Sequence, residues 1–248
     1  MRIKAVTIDF WNTLFDNSNG VQRNAFRQKS LIQAIDKHGL VVRQDEFSAA
    51  MTASWEYFNN IWKNESRTPM PIDTARFFWN YLKLPEDNKA IDSIVKDFGE
   101  SILEYPPALM PGVKDALLKL SPDFKLAVVS DTGFSPGSVL RVLLEREGIF
   151  EFFSSFSFSD ETGVSKPHSK AFTTVLNEID VEPEYAIHIG DIEATDIKGA
   201  KQMGMFAIRF TGDPSASLAN NEFTDTIADK RADTWEEIVQ GIYDLNNV

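Results

Sequence analysis

Four short apolar runs constrain this chain most: KAVTID (Lys4 to Asp9), KLAVVSD (Lys125 to Asp131), YAIHIGD (Tyr185 to Asp191) and MFAIRF (Met205 to Phe210). Each is six or seven residues, rich in Val, Ile, Ala and Phe without polar alternation, the pattern of strands buried on both faces of a parallel sheet. Between them the period changes. After Pro111-Gly112, VKDALLKL places Val113, Ala116, Leu117 and Leu120 on one helical face, and SVLRVLLEREG stops at Gly148. KAFTTVLNEI and DIKGAKQMG follow the same pattern. Strand and helix in alternation imply a doubly wound, Rossmann-like α/β fold. A further strand is expected at FFSSFSFS, where Phe156 and Phe158 alternate with serine.

The chain of 248 residues with 43% hydrophobic residues can bury a substantial core, with room for a smaller companion domain. No run of roughly 18 apolar residues is present, and no charged and apolar leader precedes the first strand, so a soluble, cytoplasmic protein is expected. There is no cysteine for disulfides, thiol catalysis or zinc, and His38, His168 and His188 are too scattered to suggest a histidine metal site. A formal charge of −12 argues against nucleic acid or anionic membrane as partner. A small anionic substrate is compatible with it if local cations or a metal receive the anion. The expected assembly is a monomer or homodimer.

Ligands of doubly wound sheets bind beyond the carboxyl ends of the strands, and three of the four runs end on aspartate: Asp9, Asp131 and Asp191. A single aspartate there is ordinarily a cap or a turn former. Three carboxylates gathered at one sheet edge repel one another unless a cation sits among them.

Further polar residues stand at fixed offsets from these strands: Asp9-Phe10-Trp11-Asn12-Thr13 after the first, Ser130 closing LAVVS, Lys166-Pro167 in GVSKPHSKAF, and Asp191 with Asp196 in IHIGDIEATD. In order and spacing this set resembles the four motifs of the haloacid dehalogenase superfamily of hydrolases. The resemblance implies roles. Asp9 is the nucleophile of a covalent intermediate; Lys166 keeps it ionised and screens the transferring group. Ser130 donates to a substrate oxygen, with Asp131 and the loop behind it contacting substrate. Thr13 fixes the turn at the substrate-binding end of the first strand. Mg²⁺ is implied, held by Asp9, Asp191 and the main-chain carbonyl of Trp11, with Asp196 orienting this shell.

The alternation stops between Asp16 and about Tyr105, where four amphipathic helical patterns follow one another. This divides the chain into a catalytic core, 1–15 with 106–248, and an inserted all-helical segment, 16–105, that resembles the family's small cap. Of its aromatics, Trp55, Tyr57, Phe58, Trp62, Phe77, Phe78, Trp79 and Tyr81, most are expected in the core of the cap itself. Arg23, Arg27 and Lys29 are expected on a solvated face.

One residue departs from the family's phosphatases. Where they carry a second aspartate that protonates the leaving group, this chain has Trp11, whose indole donates a hydrogen bond but no proton near neutral pH. Loss of a general acid costs about 10²–10⁴ in rate. Four activities stay open: a Mg²⁺-dependent phosphohydrolase whose leaving group needs little protonation; a dehalogenase, favoured by Trp11 and opposed by the Asp191/Asp196 pair; a phosphonate-cleaving enzyme using a cap lysine such as Lys29 or Lys37; and a ligand-binding protein on an enzyme fold. The retained Asp9, Ser130, Lys166 and Asp191 favour the first.

Overall fold

The computed structural model describes residues 3–216 and 225–247. Six strands form one sheet: β1 Ala5–Ile8, β2 Lys125–Ser130, β3 Phe153–Phe158, β4 Ala186–Gly190, β5 Phe206–Phe210 and β6 Lys230–Ala232. All pairings are parallel, in the order β3-β2-β1-β4-β5-β6. The first strand is therefore central, and the chain leaves it first toward one edge and later toward the other, which makes the ends of β1, β2 and β4 a topological switch point. Register fixes the rest. Ile8 lies opposite both Val128 and Ile189, so Asp9 emerges level with the ends of its two neighbours.

The two faces of the sheet are unlike. Val6, Ile8, Val128, Ile187, Ile189 and Ile208 face a large core shared with helices α5 (Val113–Leu120) and α6 (Gly137–Arg146) and with the C-terminal helix Trp235–Asn246. Ala5, Ala127, Ala186 and Ala207 face the other side, where small side chains let the helices Ser169–Glu178 and Lys198–Gln202 pack closely through Phe172, Val175, Leu176 and Ala200.

The segment after β1 consists of helices α1 (Gly20–Lys37), α2 (Gln44–Glu65), α3 (Pro71–Tyr81) and α4 (Asn88–Glu104). They enclose a separate core that includes Leu31, Ile35, Phe47, Phe78, Trp79, Ile94 and Phe98. Within DIKGAKQMG and the residues before it the helix is not uniform: Glu193–Ile197 form a π-helical turn ahead of Lys198–Gln202. Such turns redirect single side chains and recur at functional sites, and here the turn carries Asp196. Among the described residues no helix is long and apolar enough to cross a membrane.

Candidate active site

Asp9 continues the sheet by one residue, its backbone N–H donating to the Ile189 carbonyl at 2.9 Å. The chain then turns through Asn12, held at φ 54° in the left-handed region that asparagine tolerates. Asn12 also works with its side chain, donating to Asp191 Oδ2 at 3.3 Å. Phe10 enters the core, and Trp11 packs edge-on against it with ring centroids 5.3 Å apart. The Arg23 guanidinium lies 5.8 Å from the centroid of the Trp11 ring, a cation–π arrangement. Thr13 is fully buried and does not line the cavity described below; its carbonyl accepts from Trp235 Nε1 at 3.1 Å.

Lys166 is 3% exposed, and its ammonium joins three acceptors: Asp9 Oδ1, Asp196 Oδ1 at 2.6 Å and the Val129 carbonyl at 3.1 Å. Asp196 is itself held by the Ile192 backbone N–H at 3.0 Å and by His188 Nε2 at 3.2 Å. The opposite ring nitrogen of His188 meets Thr7 Oγ1 at 2.9 Å. The network assigns the tautomer: Nε2–H donates to the carboxylate and Nδ1 accepts the threonine hydroxyl. Gly190 makes this packing possible, because a Cβ there would stand 2.4 Å from Asp196 Cγ.

The charges do not balance. Asp9, Asp191 and Asp196 are buried with carboxylate oxygens within 4.8 Å of one another, Asp131 is beside them, and Lys166 is the only cation lining the cavity among the described residues. Burial, reinforced by Asp196 and Asp131 and opposed by Lys166, pushes Asp9 up to about 7. Burial together with Asp9 and Asp196 holds Asp191 well above the usual carboxylate range. Asp196 goes the other way: burial opposes its ionisation, but Lys166 and His188 outweigh that and hold it down. Burial keeps His188 below its ordinary value, consistent with a neutral ring.

This donor set fits a divalent cation. Asp9 and Asp191 carry the unneutralised charge, and hard carboxylate oxygens beside a cavity that admits water are what Mg²⁺ takes. Asp196 lies in the same group, but Lys166 and His188 occupy Oδ1 and the Ile192 amide occupies Oδ2. Its geometry suits holding Lys166.

A cavity of about 260 Å³ opens over these groups. Asp9, Asp131, Lys166 and Asp191 form its polar floor, and Trp11, Trp55, Phe58, Trp62 and Phe134 its aromatic wall. Trp62, on α2, donates from Nε1 to Asp131 Oδ2 at 2.9 Å, while the Lys166 backbone N–H donates to Asp131 Oδ1 at 2.9 Å. Ser130, expected to donate to substrate, is 2% exposed at the end of β2 and does not line the cavity; its hydroxyl has no hydrogen-bond partner among the described residues.

Two expectations about the helical insert are corrected. Of the eight aromatics named above only Phe78 and Trp79 are buried in its core. Trp55, Phe58 and Trp62 face the cavity, Tyr57 stacks on Phe77 at 4.5 Å, and Tyr81 is exposed. Helical periodicity does not distinguish a face turned to a core from one turned to a cavity. Nor are Arg23 and Arg27 solvated: Arg23 is buried, donating to the Ser18 and Tyr105 carbonyls, and Arg27 stacks over Phe134 at 4.5 Å. Burial, and Arg23 nearby, push Arg27 down to about 9. Lys29 is exposed as expected. Asn12, Phe134 and His188 belong to the site although no motif marks them.

A family model described as haloacid dehalogenase-like hydrolase matches residues 3–204. A glyceraldehyde 3-phosphate phosphatase from Pyrococcus furiosus is 30% identical over 209 residues, which cover 84% of this chain and 81% of that protein. Among solved structures, the 2-haloacid dehalogenase from Pseudomonas syringae superposes with a TM-score of 0.72 at 21% identity, covering 98% of this chain and 99% of that one. A HAD-hydrolase from Bacillus subtilis bound to magnesium superposes with a TM-score of 0.63 at 18% identity, each chain being covered completely.

Proposed function

The chain belongs to the haloacid dehalogenase-like hydrolases, and we propose that within them it is a Mg²⁺-dependent phosphohydrolase of a small phosphorylated metabolite, with Asp9 as nucleophile. The observation that carries this reading is the excess of carboxylate at the switch point, Asp9, Asp131, Asp191 and Asp196 against the one ammonium of Lys166. A site for singly charged haloacids has no need of so many buried anions, whereas a divalent cation that receives a phosphoryl group does. The curated relatives named as glyceraldehyde 3-phosphate phosphatases agree with it.

In this mechanism an Asp9 carboxylate oxygen attacks phosphorus, and water later cleaves the aspartyl phosphate. Lys166, fixed between Asp9 and Asp196, keeps the nucleophile ionised and offers positive charge to the phosphoryl oxygens. Asp9 and Asp191, with the Trp11 main-chain carbonyl, would hold Mg²⁺, which when bound neutralises the approaching dianion. Segment 16–105 is proposed as the cap, its α2 aromatics closing the cavity away from water.

Phosphate release from a panel of phosphorylated metabolites, measured with and without EDTA and with Asp9→Asn, tests this reading. Chelation should abolish release, and the substitution should lower it by about 10³-fold or more. Release that survives both would sink the reading. Trp11 favours halide displacement as the second reading, so 2-haloacids belong in the same panel; chloride released without metal would transfer the assignment to a dehalogenase.

A further inference from the structure

The groups that line the cavity limit what can leave from it. Five of them titrate or carry charge: Asp9, Asp131, Asp191, Asp196 and Lys166. Asp9 is consumed as nucleophile, and Asp191 belongs to the cation site. Burial raises Asp131, but each of its oxygens already accepts an N–H, from Trp62 and from the Lys166 backbone, so neither is free to face a departing oxygen as a donor. Asp196 is occupied in the same way, and the Lys166 ammonium is engaged by Asp9, Asp196 and the Val129 carbonyl. What else lines the cavity is indole, amide, hydroxyl or hydrocarbon, none of which surrenders a proton near neutral pH. A departing oxygen therefore leaves as an anion. A phenol, with a pKa of about 10, tolerates this; an aliphatic alcohol, nearer to water at about 15.7, does not.

The walls point to the same chemistry. Phe134 stands perpendicular to Trp55 at 5.0 Å and to Phe98 at 5.5 Å, with the Arg27 guanidinium packed on it. The ring surface is thereby fixed before a ligand arrives, and Trp62 is pinned by Asp131. No cation besides Lys166 lines the cavity among the described residues, so no second side-chain charge there pairs with a further phosphate or a carboxylate. An apolar cavity of about 150 Å³ accommodates benzene, and this one, at about 260 Å³, has space for a ring and a phosphoryl group.

Building on the phosphohydrolase reading, we propose that the substrate is a phosphate monoester of a planar, phenol-type alcohol, its ring held by Trp11, Trp55, Trp62 and Phe134. The Asp9 oxygen forms a bond to phosphorus as the ester P–O bond breaks, and the bonding pair leaves with the aryl oxygen as phenolate. Water then adds to phosphorus, the bond to Asp9 breaks with its pair returning to the carboxylate, and both protons of the water depart on inorganic phosphate as dihydrogen phosphate.

The test is a leaving-group series on the wild-type protein with Mg²⁺: 4-nitrophenyl, phenyl and 4-methoxyphenyl phosphate against glycerol 1-phosphate and glyceraldehyde 3-phosphate. kcat/KM should fall steadily as the phenol becomes more basic, and both aliphatic esters should lie at least about 10²-fold below phenyl phosphate. Trp11→Asp should raise the aliphatic esters by about 10²–10⁴-fold while changing the nitrophenyl ester little. Trp55→Ala, at a partly exposed position, should raise KM for phenyl phosphate about tenfold and weaken inhibition by inorganic phosphate less than twofold. Aliphatic esters turned over as fast as phenyl phosphate would overturn this proposal and leave the phosphohydrolase standing. No phosphate from any ester, 4-nitrophenyl phosphate included, would overturn both.

Discussion

Replacing His188 with leucine tests whether the buried chain from Thr7 through His188 and Asp196 to Lys166 is what positions the lysine. Leucine fills nearly the same volume against Phe172, whose ring lies 5.1 Å from the imidazole, so little cavity is created. What is lost is the N–H donated to Asp196 at 3.2 Å, while Thr7 Oγ1 retains the Ile187 carbonyl at 3.3 Å. A hydrogen bond to a charged group contributes about 1.5–3 kcal/mol. Asp196 keeps its ion pair with Lys166, so the loss should lie near the middle of that range, about 2 kcal/mol. For a chain of this size about 1 kcal/mol shifts Tm by roughly 2–4 °C, and His188→Leu should melt about 4–8 °C lower. His188→Gln, which places an amide N–H near the position of Nε2, should recover at least half of the loss. In a double-mutant cycle the leucine should cost less in an Asp196→Asn background, because the acceptor's charge is already gone. Calorimetry or circular dichroism reads all three. A leucine variant within about 0.5 kcal/mol of wild type, or a glutamine variant no better than leucine, would refute the reasoning.

Two further outcomes follow from the same geometry. Gly190→Ala places a Cβ 2.4 Å from Asp196 Cγ, and overpacking of this kind costs about 1–3 kcal/mol, seen as a lower urea midpoint with an unchanged slope; a neutral substitution would mean that Asp196 is free to move. Mg²⁺ should raise Tm, by an amount equivalent to about 2.7 kcal/mol when it is present at a hundred times its Kd, and Asp191→Asn should remove most of that shift. An equal shift in both proteins would place the ion elsewhere.

The sheet was readable from residue types because a parallel strand covered on both faces is mostly apolar without alternation, as AVTI and AIHIG are apart from Thr7 and His188. β6 escaped for the converse reason: KRA is a three-residue edge strand paired only with β5, and its side chains carry no periodic signal. Asp9, Asp131 and Asp191 were visible because strand ends converge. His188 was not, because inside YAIHIGD it reads as one more buried residue until folding brings Thr7 and Asp196 to its two nitrogens. Arg23 was hidden differently: besides Asn17 Oδ1, its acceptors are main-chain carbonyls of Ser18 and Tyr105, at the two ends of the helical segment, and carbonyls leave no mark in a sequence.

Trp11 can then be weighed against the aspartate it replaces. A carboxylate at this position would join Asp9, Asp131, Asp191 and Asp196 around one lysine, and each added like charge makes ionisation of the nucleophile harder. An indole adds no charge, lets the Arg23 guanidinium pack on its ring, and extends the apolar wall toward the nucleophile. The site gives up its proton donor and gains a less frustrated anion cluster. That exchange is productive only for a leaving group stable as an anion, so the electrostatics of the floor and the composition of the wall select the same kind of substrate.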